Sequence, residues 1–119
     1  MENPKWLQQL FESIDQKDAD TFATFLADDA VFKFGNGDQV NGKAAIRDAV
    51  EAFLSSIQVI NHKIIDIWSY SDAIICHGYV TYTRHDSNKL TVPFANIFKT
   101  YDDLIKEYLI YVDTSQLYS

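Results

Sequence analysis

Apolar residues in the first half of the chain recur at helical intervals. Leu7, Leu10, Phe11 and Ile14 stand at i, i+3, i+4 and i+7 and so share one face of a helix. Asn3-Pro4 supplies its start, because an Asn side chain caps free amides and proline suits the first helical position. Asp18 is placed to cap a second, short helix that carries Phe22, Phe25 and Leu26 and stops at Asp28-Asp29. A brief strand from Val31 to Phe34 then meets Gly35-Asn36-Gly37-Asp38, where Asn-Gly offers the positive φ angles of a tight turn. These glycines lack the Gly-Lys-Ser/Thr ending of a phosphate-cradling loop. Ile46, Ala49, Val50, Phe53 and Ile57 restore the helical spacing in a third helix of about four turns.

From Val59 onward the period changes, and β-branched and aromatic residues dominate through Asp113. Short polar breaks at Ser69-Tyr70-Ser71-Asp72, Asp86-Ser87-Asn88-Lys89 and Tyr101-Asp102-Asp103-Leu104 divide this run into strands at roughly 59–69, 73–85, 90–100 and 104–113. No helix separates them, which predicts an antiparallel meander. No linker, repeat or low-complexity tract interrupts the chain, so residues 1–119 read as one α+β domain with three amino-terminal helices packed on a sheet.

Composition narrows the partners. Seventeen acidic residues against ten basic ones give a net charge of −7, which argues against nucleic acid and anionic membrane surfaces. The amino terminus lacks the basic start and apolar run of a signal peptide, and no stretch matches a membrane span, so a cytoplasmic location is expected. A single cysteine, Cys76, excludes an intrachain disulfide and reads as a small buried residue. No His, Asp or Glu spacing matches a metal motif, and no cofactor is expected.

Local words then point to a family. Phe25-Leu26-Ala27-Asp28-Asp29-Ala30-Val31, Gly42-Lys43-Ala44-Ala45-Ile46, Val92-Pro93-Phe94-Ala95-Asn96-Ile97-Phe98 and the closing Tyr111-Val112-Asp113 resemble segments of SnoaL-like cyclases and ketosteroid isomerases, in the nuclear transport factor 2-like superfamily. The resemblance implies a cone-shaped, curved antiparallel sheet, a cystatin-like roll, whose concave face the helices close over a ligand pocket and whose outer face makes a homodimer. The ketosteroid isomerase base position falls on Phe34, its tyrosine on Leu10 and its oxyanion aspartate on Ala95. All three are apolar here, which argues against steroid isomerisation. Arg84 and Asp86 resemble two members of the Asp-Arg-Asp set of limonene epoxide hydrolases, but the third position corresponds to Ile110. Arg84-His85-Asp86 is expected to be a solvated turn cluster.

Which side chains face the pocket depends on register. A two-residue turn at Asp102-Asp103 would set Pro93, Ala95 and Ile97 opposite Val112, Ile110 and Tyr108, and the family resemblance puts the same set inside. A two-residue turn at Ser87-Asn88 would set Val80 against Ala95 and Gly78 against Ile97, turning Cys76, Val80 and Tyr82 inward. The expected pocket is therefore Leu10, Phe34, Val80, Tyr82, Ala95, Ile97, Tyr108 and Ile110, with Tyr82 and Tyr108 as its polar tips. Phe94, Phe98, Leu109 and Tyr111 form the expected dimer face. His77 and Tyr79 face outward beside Asn96, Tyr111 and Asp113 in this register, and a one-residue shift would bring them inside.

Two functions follow. The first is a binding protein for a small hydrophobic or weakly polar ligand, without a recognisable catalytic constellation. The second is a SnoaL-like cyclase, isomerase or hydrolase that uses His77 with Asn96 or Asp113, or else Asp66, as acid or base. His62 and His77 are of the residue type suited to such proton transfer.

Overall fold

The computed structural model describes residues 4–117. In chain order it has α1 (Lys5–Asp15), α2 (Ala19–Ala23), β1 (Leu26–Phe34), β2 (Val40–Asn41), α3 (Lys43–Ser55), β3 (Val59–Ser69), β4 (Ala73–Thr83), β5 (Lys89–Tyr101) and β6 (Leu104–Val112). The strands form one sheet in the order β2-β1-β6-β5-β4-β3. The meander β3 to β6 is antiparallel as expected, and β1, which joins it at β6, lies parallel to that strand. Parallel neighbours need a long connection, and here α3 and three further strands supply it.

The helices depart from expectation mainly at their ends. Asn3 lies outside the described residues, and Pro4 itself is the N-cap of α1, its carbonyl accepting the Leu7 N–H at 3.1 Å. Leu7, Leu10, Phe11 and Ile14 are buried as one stripe. Asp18 caps α2 by accepting the Thr21 N–H at 3.1 Å. That helix ends at Ala23 rather than Asp28, because β1 already starts at Leu26 and the Phe25 carbonyl accepts the Ile105 N–H from β6 at 2.8 Å. In the turn after β1, Gly35 supplies the positive φ (+55°), not Asn36 or Gly37, and the Gly37 N–H closes on the Phe34 carbonyl at 2.9 Å.

Register brings the larger corrections. Asp102 and Asp103 do form the two-residue turn, both with positive φ, between the paired Tyr101 and Leu104. Then β6 takes one extra residue: Thr100 pairs with Ile105 but Lys99 pairs with Glu107, leaving Lys106 out of the ladder. Beyond that bulge Asn96 opposes Ile110, Phe94 opposes Val112 and Phe98 opposes Tyr108. Strict alternation would send Ile105 and Tyr108 to opposite faces, and the bulge lets both be buried at 1% exposure. Lys106 instead turns out to ion-pair with Asp29, at the matching irregularity of β1.

The β4–β5 connection is a five-residue loop, closed by Arg84 N–H to the Asn88 carbonyl at 2.8 Å, not a two-residue turn. Val80 therefore opposes Val92, Gly78 opposes Phe94 and Cys76 opposes Asn96. Both hairpins differ from expectation by an odd number of residues, so the two shifts cancel for β4 and leave β5 alone inverted. Phe94, Asn96 and Phe98 face the helices, at 4%, 1% and 0% exposure, while Ala95 and Ile97 face outward. A second bulge, between Ile64 and Asp66 of β3, keeps Ile60, His62 and Ile64 on the inner phase but sends Asp66 and Trp68 outward.

The core lies between this inner face and the stripes of α1, α2 and α3, and Leu117, just after β6, inserts into it with 0% exposure. No helix among the described residues is long and apolar enough to cross a membrane. Gly78 marks the tightest backbone approach in the sheet: a Cβ there would stand 1.9 Å from the Lys63 carbonyl oxygen. Backbone cannot yield as a side chain can, so Gly78→Ala is expected to cost at least about 2 kcal/mol by forcing β3 from β4. Urea unfolding of the variant measures this, and an unchanged midpoint would show that β3 relaxes freely.

Candidate functional site

Between α3 and the concave face lies a cavity of about 230 Å³. Its walls come from the inner phase of every long strand, and α3 closes it with Ala49, Val50, Phe53 and Leu54. Phe34, Val80, Tyr82, Tyr108 and Ile110 border it. Leu10 is fully buried in α1 but does not reach it, and Ala95 and Ile97 lie across the sheet on the outer face. Phe94 and Asn96 take the places assigned to those two. The wall is aromatic on several sides: Phe34 meets Phe53 at 5.0 Å between ring centroids, and Phe53 meets Tyr82 edge-on at 5.8 Å.

The polar groups at this wall are few and specifically placed. Asn96 is 1% exposed, its Nδ2 donates to the Tyr108 hydroxyl at 3.5 Å, and its Oδ1 has no partner among the described residues. Burial, with the charges of neighbouring groups adding to it, raises the Tyr108 phenol well above its ordinary value, so this hydroxyl stays protonated. Burial likewise pushes the Cys76 thiol up to about 12, which makes it an inert packing group.

The third polar group is His62, and it is not alone. Asp15, the last residue of α1, accepts the His62 backbone N–H at 3.1 Å and contacts its Nδ1 at 2.6 Å. The ring is clamped between Phe11 and Phe94, at 4.9 and 5.3 Å, and borders the cavity. With Nδ1 held by a carboxylate, Nε2 is the ring nitrogen left to face other molecules. Sequence reasoning named His62 but missed Asp15. The signal was there: Leu7, Phe11 and Asp15 are spaced four apart, so the carboxylate continues an apolar stripe. His62 is likewise in phase with buried Ile60.

The other proposed acid–base residues are elsewhere. His77, Asp66 and Asp113 stand on the outer side of the sheet, where His77 Nε2 meets Asp66 at 2.9 Å and its ring stacks on Trp68 at 5.6 Å. Of that group only Asn96 reaches the cavity. Arg84 and Asp86 pair at 3.3 Å in the β4–β5 loop, away from the cavity. Among the described residues no cluster of three or more His, Cys, Asp or Glu side chains could hold a metal ion.

A SnoaL-like domain model matches residues 7–108. The chain belongs to the SnoaL-like family. Its fold is that of the nuclear transport factor 2-like proteins, three helices packed on a six-stranded, mostly antiparallel sheet. One similar structure is a nuclear transport factor 2-like protein of unknown function from Burkholderia pseudomallei, with TM-score 0.84, 13% identity and coverage of 93% of this chain and 90% of that one. Another is a protein of ketosteroid isomerase-like fold from Catenulispora acidiphila, solved in complex with trimethylamine, with TM-score 0.85, 14% identity and coverage of 92% and 86%. A third is an LEH-like epoxide hydrolase of M. tuberculosis, with TM-score 0.79, 15% identity and coverage of 94% and 83%. No curated protein sequence matches the chain.

The Asp15–His62 pair ties α1 to β3. Asp15→Ala removes the acceptor of two His62 groups and is expected to cost about 1–3 kcal/mol of stability, read by urea unfolding. In the wild type, nitrogen NMR of the neutral His62 ring should show the Nδ1–H tautomer. Finding the proton on Nε2 instead would contradict the arrangement described.

Proposed function

We propose that this SnoaL-like protein holds one small, mainly apolar molecule in the cavity between α3 and the sheet. The observation that carries this reading is Asn96. A carboxamide oxygen buried without a partner costs about 1–3 kcal/mol, and a bound molecule offering a hydrogen bond removes that cost. Size supports a compact ligand: a dry cavity of about 150 Å³ is enough for benzene, so about 230 Å³ suits one or two fused rings. A steroid is too large for that space. The trimethylamine held by the Catenulispora relative is a small molecule on the same fold and supports the reading at that level.

The Asp15–His62 contact favours a second reading, in which the same cavity supports general acid–base chemistry. A histidine oriented by a carboxylate presents its other nitrogen as a proton acceptor. Under this reading His62 replaces His77 as the base, because His77 is across the sheet. We also propose that the outer face pairs with a second copy of the chain. With Phe94 and Phe98 buried, the apolar part of that face is Trp68, Tyr79 and Tyr111, exposed by 46%, 51% and 57%, together with Ile75, Ile97 and Leu109, and the His77–Asp66 pair shares the face. Exposed aromatic residues on one sheet face favour a symmetric contact.

Filling the cavity tests the first proposal. Ala49→Phe projects a ring from α3 into the space, and it should weaken binding of naphthalene-sized compounds by at least about tenfold, while thermal stability holds or rises. If no such compound raises the melting temperature of the wild type, the pocket is only packing space. For the outer face, sedimentation equilibrium should report a wild-type dimer and a Tyr111→Asp monomer. A monomeric wild type at micromolar concentration would sink the pairing.

A further inference from the structure

We propose that the cavity selects a neutral molecule that bears a hydroxyl group on a compact apolar body, a phenol or a cyclic alcohol, and that it discriminates against anions and cations of the same shape. The inference rests on the cavity being a ligand site and deepens that reading by naming the class of ligand.

The polarity of the wall is the reason. The one fully buried polar atom of the wall without a partner among the described residues is an acceptor, Asn96 Oδ1. At the same wall His62 contacts Asp15 through Nδ1, which leaves Nε2 as its other ring nitrogen. The two residues come from β5 and β3, on either side of β4 in the sheet. An acceptor of this kind is satisfied only by a donor. A ligand hydroxyl supplies one, and its oxygen can in turn accept from the Tyr108 hydroxyl, which burial keeps protonated at the far side of the Asn96 carboxamide.

Charge excludes the alternatives. No Lys or Arg lines the cavity, and its charged neighbours are Asp38 in the wall near the Gly35–Asp38 turn and Asp15 behind His62. A carboxylate ligand would enter an apolar, acceptor-rich space with no cation to meet it. An ammonium fares little better at depth. It would lose its hydration among phenylalanine rings, and the Asp15 carboxylate is already engaged by both His62 groups.

Four two-ring probes of nearly equal shape test this by calorimetry: 2-naphthol, 2-methylnaphthalene, 2-naphthoate and 2-naphthylmethylammonium. The wild type should bind 2-naphthol about tenfold or more tighter than each of the others. Asn96→Leu should keep 2-methylnaphthalene and lose the preference for 2-naphthol. The four-probe series on the wild type decides the matter even where the variant fails to fold. If 2-methylnaphthalene binds as well as 2-naphthol, or either charged probe binds best, donor selection is wrong while the cavity remains a ligand site. If none of the four binds, the ligand-site reading falls and takes this inference with it.

Discussion

Alternation along a strand has only two phases, and one inserted residue in β6 decides which phase of β5 looks toward the helices. Ile105 and Tyr108 are three apart, so an unbroken strand could bury only one of them. Leaving Lys106 out of the ladder lets both enter the core. The cost of a missing ladder position is offset by burial of both side chains and by the Lys106–Asp29 pair, which joins the bulge of β6 to the irregular stretch of β1. Everything at the concave wall follows from this step. It turns Phe94 and Phe98 onto α1, where Phe98 meets Trp6 and Phe11, and it aims Asn96 into the cavity.

The same step explains what the sequence could and could not disclose. Element type was legible because it depends on local period: four-residue spacing in α1 and α3, alternation from Val59 onward, Asp18 as a cap, the Asp102-Asp103 turn. The family words placed these elements in the right order. Facing depends instead on counting residues between paired strands, and a single bulge or a longer loop reverses the count. The spacing of Ile105 and Tyr108 was the visible hint of the bulge. For β5 the size of Phe94 and Phe98 was the better guide, and the polar Asn96 between them concealed it. The loop at Arg84–Asn88 carries no comparable mark, because its five residues are as polar as a two-residue turn with its flanks.

The cavity's chemistry was harder to see for another reason. Asp15 and His62 are 47 residues apart, and neither belongs to a motif. Each interrupts an apolar phase of its own element, however, and two such interruptions that come to face each other satisfy one another. A partly buried carboxylate beside Phe11 would be costly without a partner, and so would a lone ring donor between two phenylalanines. Together they form a hydrogen-bonded pair on the one side of the cavity where α1 meets β3. This pairing is first a condition of folding, since it lets α1 end against the sheet, and only then an orientation of the His62 ring.

Asn96 obeys no such condition. Its Nδ2 reaches the buried Tyr108 hydroxyl, which a leucine here would leave unpaired, yet its Oδ1 ends in the wall without a partner among the described residues. The Tyr108 contact accounts for the amide nitrogen and leaves the oxygen unaccounted for, and under the proposed function a ligand donor meets that oxygen. Phe34, where the family resemblance would place a carboxylate base, borders the cavity as an apolar side chain, and Ala95 does not face it. The deep wall offers two neutral hydrogen-bonding groups, Asn96 and Tyr108, among aromatic rings. Neutral groups cost less to bury than charged ones, and under the proposed function they leave selectivity to the geometry of one or two hydrogen bonds inside an aromatic enclosure.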